Sequence, residues 1–289
     1  MEIREKAFAK LNLSLDVTGK RPDGYHEVCM VMQSVTLYDD VTIRLTDDGR
    51  FSARTNRHFI PGDDRNEAVK AAKVFAAAHD LGGKGVFADI RKRTPVRAGL
   101  GGGSSDAAAV LRGLNTLMGR PFDGKQLEEL AAQVGSDVAF CVSGGTQLAT
   151  GRGELLTSLP DFGRHWVVIC KPYFSIATPA LFKKIDARKS KCRPDTDGIL
   201  AALSAGDDMG VVRRMYNVFE DVLGDKSRGI SEIKTALMDR GALGACMTGT
   251  GSAVFGIFPD EQSAKDACLA LRRRHQDVFW AETCGRIEI

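Results

Sequence analysis

Several stretches of this 289-residue chain carry side chains whose types and spacing could do chemistry. The densest is Pro95-Val96-Arg97-Ala98-Gly99-Leu100-Gly101-Gly102-Gly103-Ser104-Ser105-Asp106-Ala107-Ala108-Ala109. Four glycines fall within five residues, followed by two hydroxyls, an acid and a run of alanines. Glycine lacks a Cβ, so this backbone can turn sharply and approach a ligand closely. Ser104 or Ser105 is a good N-cap, and Ala107 to Leu111 is a good helix start. A glycine-rich loop entering a helix gathers free N–H groups at the positive end of the dipole, an anion site whose usual occupant is phosphate. A plain flexible loop would explain neither the glycine count nor the Ser-Ser pair. The loop is not a Walker A motif, because no G-x-x-x-x-G-K-[ST] occurs. The G-x-G-x-x-G spacing fails too, because Ser104 stands where the last glycine would fall when counting from Gly99.

Other candidates are more scattered. Lys10 and Asn12 lie two apart in an alternating segment, which fits ligand-facing donors on one strand face and a half-buried strand equally well. The Pro22-Asp23-Gly24 turn presents Tyr25 and His26 just beyond the bend. Beside a phosphate site, that ring and imidazole suit a base or sugar pocket. Asp137 stands between a Gly-Ser turn and the apolar run Val138 to Val142. It reads either as an N-cap or as a carboxylate held at low solvent exposure and suited to take a proton. A second glycine cluster, Thr248-Gly249-Thr250-Gly251-Ser252, is weak alone. It could pack against the first loop from another domain, since ligands commonly bind between domains.

The elements that must position these residues are legible in outline. Ala7 to Val17 alternates as a strand, with Ala9, Leu11, Leu13, Leu15 and Val17 on one face. Val28 to Leu37 and Asp40 to Leu45 read as two strands separated by Tyr38-Asp39, and Asp47-Asp48-Gly49 as a turn. A helix is expected over Asn66 to His79, a short strand over Val86 to Ile90, then helices over 105–117 and Gln126 to Val134. Gly144-Gly145 and Gly151 to Glu154 read as hairpin turns. The character of the chain changes near residue 160. Trp166 to Cys170 reads as a buried strand and Ala187 to Gly198 as a mobile surface loop. Helices are expected at Ile199 to Ala205, Met209 to Leu223, Gly229 to Asp239 and Glu261 to His275, with strands at Ala253 to Phe258 and Val278 to Cys284. Without regular β-α-β alternation this is an α+β chain. We divide it into two domains, over 1–158 and 159–289.

The length suits two domains. A net charge of +3 demands no nucleic-acid surface. The basic clusters Arg91 to Arg93, Lys189 to Arg193 and Arg272 to Arg274 read as solvated faces, the first adding favourable potential for a polyphosphate. Seven cysteines without a C-x-x-C point away from a disulfide scaffold or zinc site and towards small core residues. No apolar signal region or bilayer-length stretch is evident, so the expectation is a reduced, soluble, cytoplasmic protein with no membrane partner.

Lys10-Leu11-Asn12-Leu13, the Pro95 to Ala107 run and Met247 to Ser252 stand in the order seen in the small-molecule kinases named for galactokinase, homoserine, mevalonate and phosphomevalonate kinases, and the chain resembles that superfamily along nearly its whole length. Within it, Lys10 to Leu15, Arg21 to Glu27 and Gly135 to Val138 resemble the branch acting on 4-diphosphocytidyl-2-C-methyl-D-erythritol. Threonine stands at 248 and 250 where the superfamily more often has serine; the hydroxyl is kept.

The resemblance implies an N-terminal domain like domain 2 of ribosomal protein S5, a ferredoxin-like C-terminal domain and a site in the cleft between them. It implies ATP, with Mg2+ accompanying the nucleotide, and phosphorylation of the 2-hydroxyl of the methylerythritol unit. Asp137 would be the base and Lys10 its cationic partner. The phosphates would lie on Gly99, Leu100, Gly101, Gly102, Gly103, Ser104 and Ser105, with Asn66 and Pro95 near the nucleotide. Asn12 would orient the substrate. Tyr25 and Phe182 would sandwich the cytosine and His26 would hydrogen-bond it, while Gly249 and Gly251 let the second domain approach. No magnesium ligand set or oligomeric state is legible, and Asp106 in a first helical turn is explained by the dipole alone. Two alternatives remain: another kinase of the superfamily, for which the Tyr25-His26 loop would be unneeded, and an RNA-binding scaffold using the basic clusters.

Overall fold

The structure, a computed structural model, describes residues 1–187 and 192–289. Two sheets organise it. The first is built on the long antiparallel pair β1 (Glu2–Lys20) and β2 (His26–Thr46). Beside β2 on its other edge run β3 (Phe51–Thr55) and, directly paired with it, β4 (Gly85–Arg91), in the order β3-β4-β2-β1. Helix α1 (Glu67–Ala78) lies between β3 and β4 in sequence, and α2 (Gly102–Leu117), α3 (Gly124–Val134) and α4 (Ser136–Ser143) follow. The hairpin β5 (Thr146–Thr150) and β6 (Leu155–Ser158) completes this half, with β5 paired to the early part of β2.

The second half comprises β7 (Trp166–Lys171), helices α5 (Thr178–Ala187), α6 (Thr196–Ala205) and α7 (Asp208–Arg213), the two-residue β8 (Tyr216–Asn217), α8 (Ser227–Met238), β9 (Gly244–Met247), β10 (Val254–Phe258), α9 (Glu261–Arg272) and β11 (Asp277–Glu282). Its antiparallel sheet runs β11-β7-β10-β9. Counted among these four strands that is 4-1-3-2 with helical crossovers after the first and third, which is the ferredoxin-like order. The architecture is therefore α+β in two domains. They are joined at more than one point: β8 pairs in parallel with Ser14 and Leu15 of β1, and Thr283 bridges Val35 of β2. Among the described residues no helix is long and apolar enough to cross a membrane.

Several sequence expectations change in the fold. The stripe on β1 does not stay on one face. A register shift between Asn12 and Ser14 sends Leu15 and Val17 into the larger core with α2 and α4, while Ala9, Leu11 and Leu13 join the core under β7 and β10. A bulge inserts one residue and re-aims everything after it. Nor is β1 half-exposed, since both domains cover it and Lys10, Asn12 and Ser14 are buried. Val28 to Leu37 and Asp40 to Leu45 form one continuous strand. Asp39 does not turn the chain, because its carboxylate accepts from Lys92 Nζ and from the Arg93 and Thr94 amides. The helix expected over Met209 to Leu223 is broken into α7, β8 and a 3-10 turn at Val218–Val222. Asn217 causes the break by capping Phe219 N while its amide is drawn to the second glycine cluster. Of the basic clusters, Arg272 to Arg274 is exposed, but Lys92 is buried, contrary to a solvated face. The Lys189 to Arg193 cluster and the loop expected over 187–198 fall partly on 188–191, outside the described residues; Gly198 already belongs to α6, which Asp195 caps.

Candidate active site

Two cavities meet at the glycine loop. The larger, about 850 Å³, is bordered by Asn66, Pro95, Leu100, Gly102, Gly103 and Ser104, with Gly251 on its far wall. The smaller, about 240 Å³, holds Lys10, Asp137, Phe182, Gly249 and Arg152. Gly99 and Gly101 border both.

The loop differs from expectation at its helix start. Gly101, at φ 67° and ψ 21°, is the N-cap of α2, and neither serine caps it. Gly102 and Gly103 form the first turn, so amides that a serine cap would have covered stay open to a ligand. Ser104 Oγ reaches Glu67 Oε2 at 3.2 Å, and Ser105 Oγ turns back to the Gly102 carbonyl at 3.2 Å. Ser105 is buried and lines neither cavity.

Lys10 lies across this loop. Its amide donates to Leu100 O at 3.0 Å, and a Cβ on Gly101 would stand 2.9 Å from Lys10 Cγ. Its ammonium donates to Asn12 Oδ1 at 2.8 Å and lies 3.3 Å from Asp137 Oδ2. Asp137 sits in the first turn of α4, with its side chain 32% exposed. It is thus more open than the low exposure expected. Asn12 is fully buried: its carboxamide accepts from Lys10 and from the Gly249 amide at 2.9 Å, so it holds the lysine and the second glycine cluster.

The two glycine clusters touch back to back. Thr248 Oγ1 donates to Gly99 O at 3.2 Å, Ala253 N to Ala98 O at 3.0 Å, and Asn217 Nδ2 to the carbonyls of Met247 and Gly249 at 2.8 Å each. Both threonine hydroxyls are engaged, Thr250 with Thr178 at 2.8 Å. Gly99 has φ 80°, and a Cβ there would stand 2.1 Å from Thr248 O. Gly99→Ala therefore combines left-handed strain with a backbone clash, and is expected to cost about 2–4 kcal/mol. That lowers Tm by roughly 5–15 °C, read by thermal melting. A melting point within 2 °C of the parent would contradict the close approach.

Behind the loop Lys92 Nζ lies 2.6 Å from Asp39 Oδ2, 2.6 Å from Asp106 Oδ2 and 2.9 Å from Gly102 O. All three ionisable groups are buried. Burial pushes the Asp106 carboxyl up to about 8, the Lys92 charge opposing and the Asp39 charge adding to the shift. At neutral pH the Asp106 carboxyl thus tends to keep its proton beside the Lys92 ammonium. Asp106 is tied to Lys92 at the edge of the larger cavity, and its Oδ1 is buried without a partner. Glu67, near the loop on α1, is also pushed up, by burial first, against Ser104, with the Asp137 charge adding to it.

Around Phe182, which lines the smaller cavity, the aromatic residues are present in a different order. His26, not Tyr25, stacks on Phe182, with centroids 4.5 Å apart and planes at 27°. Its Nε2 meets Asp186 Oδ1 at 2.7 Å. Tyr25 is exposed, with the Arg152 guanidinium 5.1 Å from its ring centroid. Asn66 caps α1 through Oδ1 to Ala68 N at 2.9 Å and donates to Pro61 O at 2.8 Å, so its amide is engaged at the cavity edge.

Sequence reasoning missed Lys92, Asp39, Glu67, Arg152, Asp186 and Asn217. Each has a partner that lies tens to hundreds of positions away, and only Lys92, which lies two residues after the apolar Ile90, carried a signal. Arg91 and Arg93 beside it hid that signal.

A glycine-lined helix start facing a Lys–Asp pair between two α+β domains fits a small-molecule kinase. The sequence model of the GHMP kinases N terminal domain matches residues 66–145, and that of the GHMP kinases C terminal matches 199–277. A protein of Clostridium kluyveri called 4-diphosphocytidyl-2-C-methyl-D-erythritol kinase is 41% identical over 96% of this chain and 99% of its own. One of the same name from Alkaliphilus oremlandii is 43% identical, covering 98% and 97%. The chain belongs to the 4-diphosphocytidyl-2-C-methyl-D-erythritol kinase family. A crystal structure of a 4-(cytidine 5'-diphospho)-2C-methyl-D-erythritol kinase superposes with a TM-score of 0.82 at 29% identity, covering 98% of this chain and all of that one. A homoserine kinase from Cytophaga hutchinsonii shares the fold with a TM-score of 0.80 at 20% identity, covering 99% and 95%.

Proposed function

We propose that the chain moves the γ-phosphoryl group of ATP onto the 2-hydroxyl of 4-diphosphocytidyl-2-C-methyl-D-erythritol. The observation that carries this reading is the contact of Lys10 with Asp137 in a small cavity, with the glycine loop on one side and Phe182, on which His26 stacks, on the other. The loop supplies a seat for phosphates and the cavity a seat for an alcohol. The aromatic end supplies a seat for a base.

In this reading the amides of Gly101 to Ser104 and the Ser104 hydroxyl hold the ATP phosphates, with the nucleoside towards Pro95 and Asn66. Asp137 takes the proton of the substrate hydroxyl as its oxygen bonds to the γ-phosphorus, and the bond from that phosphorus to ADP breaks. Lys10, fixed by Asn12, offsets charge on the transferring group; such reactions depend mainly on positioning and electrostatics. His26 and Tyr25 bind the cytosine, with Phe182 against its face. Binding a base between Tyr25 and Phe182 requires His26 to give up its present stack.

Mg2+ belongs to the reading as the nucleotide's companion, supplying charge neutralisation of the phosphates when bound. Among the described residues no group of three or more His, Cys, Asp or Glu could hold a metal alone. Glu67 beside Ser104 fits a cation whose remaining ligands are phosphate oxygens, because a cation would offset the burial, and the lesser Asp137 charge, that push its carboxyl up. We place the domain boundary after Ser158, between β6 and β7. A reducing cytoplasmic setting suits a chain whose Cys141, Cys170, Cys246 and Cys268 thiols are core residues.

The test is ADP release with ATP, Mg2+ and the full substrate, beside the same mixture with methylerythritol phosphate lacking the cytidyl group. Turnover is expected with the first alone. Equal turnover with both would remove the base pocket from the reading, and turnover with neither would remove the substrate.

A further inference from the structure

The substrate proposed above links its base to its alcohol through a diphosphate. Resting on that reading, we infer that Arg152 is the residue that binds this diphosphate and so sets the specificity for a nucleoside diphosphate-linked alcohol. The tip of the β5–β6 hairpin carries Arg152. That tip is pinned to β2 by Val28 N donating to Gly151 O at 2.8 Å. A Cβ on Gly153, whose φ is 111°, would stand 3.1 Å from Met30 Cε, so the tip lies flat on the strand. The guanidinium is thereby held over the Tyr25 ring, 5.1 Å from its centroid, and borders the cavity that contains Lys10 and Asp137. It stands between the base end and the reacting end, where a connecting diphosphate must pass.

Charge points to the same residue. Lys10 and Arg152 are the cations that border this cavity. The Lys10 ammonium is already engaged by Asp137 and Asn12. His26 lines a separate 160 Å³ cavity with Lys20 and Arg193, and both of those cations meet carboxylates: Lys20 with Asp186 at 2.8 Å and Arg193 with Asp16 at 2.6 Å; Arg21 nearby is paired with Asp23 and Glu27. Arg152 touches Glu154 through Nε alone, at a long 3.4 Å. Its two terminal nitrogens hold no protein partner among the described residues. Glu154 instead caps the turn by accepting from the Arg152 amide at 2.6 Å. An open guanidinium fork matches two phosphate oxygens at once, which a lysine cannot do.

The experiment is calorimetric titration of the full chain and of Arg152→Met with cytidine diphosphate and with cytidine, together with KM for the full substrate and for ATP. Arg152→Met is expected to weaken cytidine diphosphate and to raise the substrate KM by about 10- to 100-fold, as fits one lost charged, paired hydrogen bond. Cytidine affinity and the KM for ATP stay within about twofold, and Arg152→Lys falls between. The residue is partly exposed on a turn, and an unchanged melting temperature confirms the variant is folded. Cytidine diphosphate affinity within twofold of the parent overturns the assignment. Equal loss of cytidine and cytidine diphosphate also overturns it, placing the role of Arg152 in the Tyr25 stack. If the unaltered chain binds cytidine diphosphate no better than cytidine, no diphosphate subsite exists. If it binds neither, the substrate reading fails and this inference with it.

Discussion

Asp137→Asn is expected to lower kcat by roughly two to four orders of magnitude, the usual range for loss of a positioned base. The substitution keeps the shape and leaves Lys10 its 2.8 Å bond to Asn12 Oδ1, so the lysine stays in place. What it removes is the oxygen that can take the hydroxyl proton. Asp137 is at the first turn of α4 and contributes nothing to the phosphate loop, so ATP binds within a few-fold of the parent. Nucleotide affinity is read by calorimetry and the chemical step by single-turnover phosphate transfer. A variant retaining more than a tenth of the parent's rate would show that Asp137 is not the base. Loss of ATP binding in step with turnover would show that it holds the nucleotide instead.

Lys92→Met is expected to reduce stability by about 3–5 kcal/mol, because it leaves the buried Asp39 and Asp106 carboxyl groups without their cation and donor. For a chain of this size the melting point then falls by roughly 6–15 °C. The carbonyl of Gly102 also loses its 2.9 Å partner, so the first turn of α2 loosens and KM for ATP rises. In the intact triad burial raises the Asp106 carboxyl from 3.8 to about 8. The folded state therefore keeps a proton that the unfolded chain has released, and stability falls as pH rises between about 4 and 8. Asp106→Asn removes that slope and, combined with Lys92→Met, recovers part of the loss. Denaturant midpoints across this pH range read both effects. A Lys92→Met chain as stable as the parent, or an unchanged slope in Asp106→Asn, would contradict the buried triad.

The aromatic end shows why local reading goes only so far. Tyr25 and His26 are displayed by a Pro-Asp-Gly turn, which is visible in sequence. Which of the two faces Phe182 depends on Asp186, 160 positions from His26, whose carboxylate holds the imidazole against that ring. No short-range pattern carries that information. The cap of α2 is a similar case. Ser104 and Ser105 are good caps by type, yet Gly101 starts the helix because Lys10 lies over it and Thr248 closes over Gly99. Tertiary contact overrode local preference.

The sequence by itself determined most of the order of elements and the α+β class, and it singled out the loop at Gly99 to Ser104, Lys10 and Asp137 as candidates. Those features rest on glycine content, capping chemistry and hydrophobic period, all local in the chain. Only the tertiary structure decided that Lys10 meets Asp137, that the two glycine clusters close on each other, that Asn12 faces inward, and that Lys92 lies buried between Asp39 and Asp106. Each of these pairs residues far apart in sequence. A bulge, a long-range ion pair or a steric fit between backbones is set by what packs opposite, and a single chain read residue by residue does not contain its own packing partners.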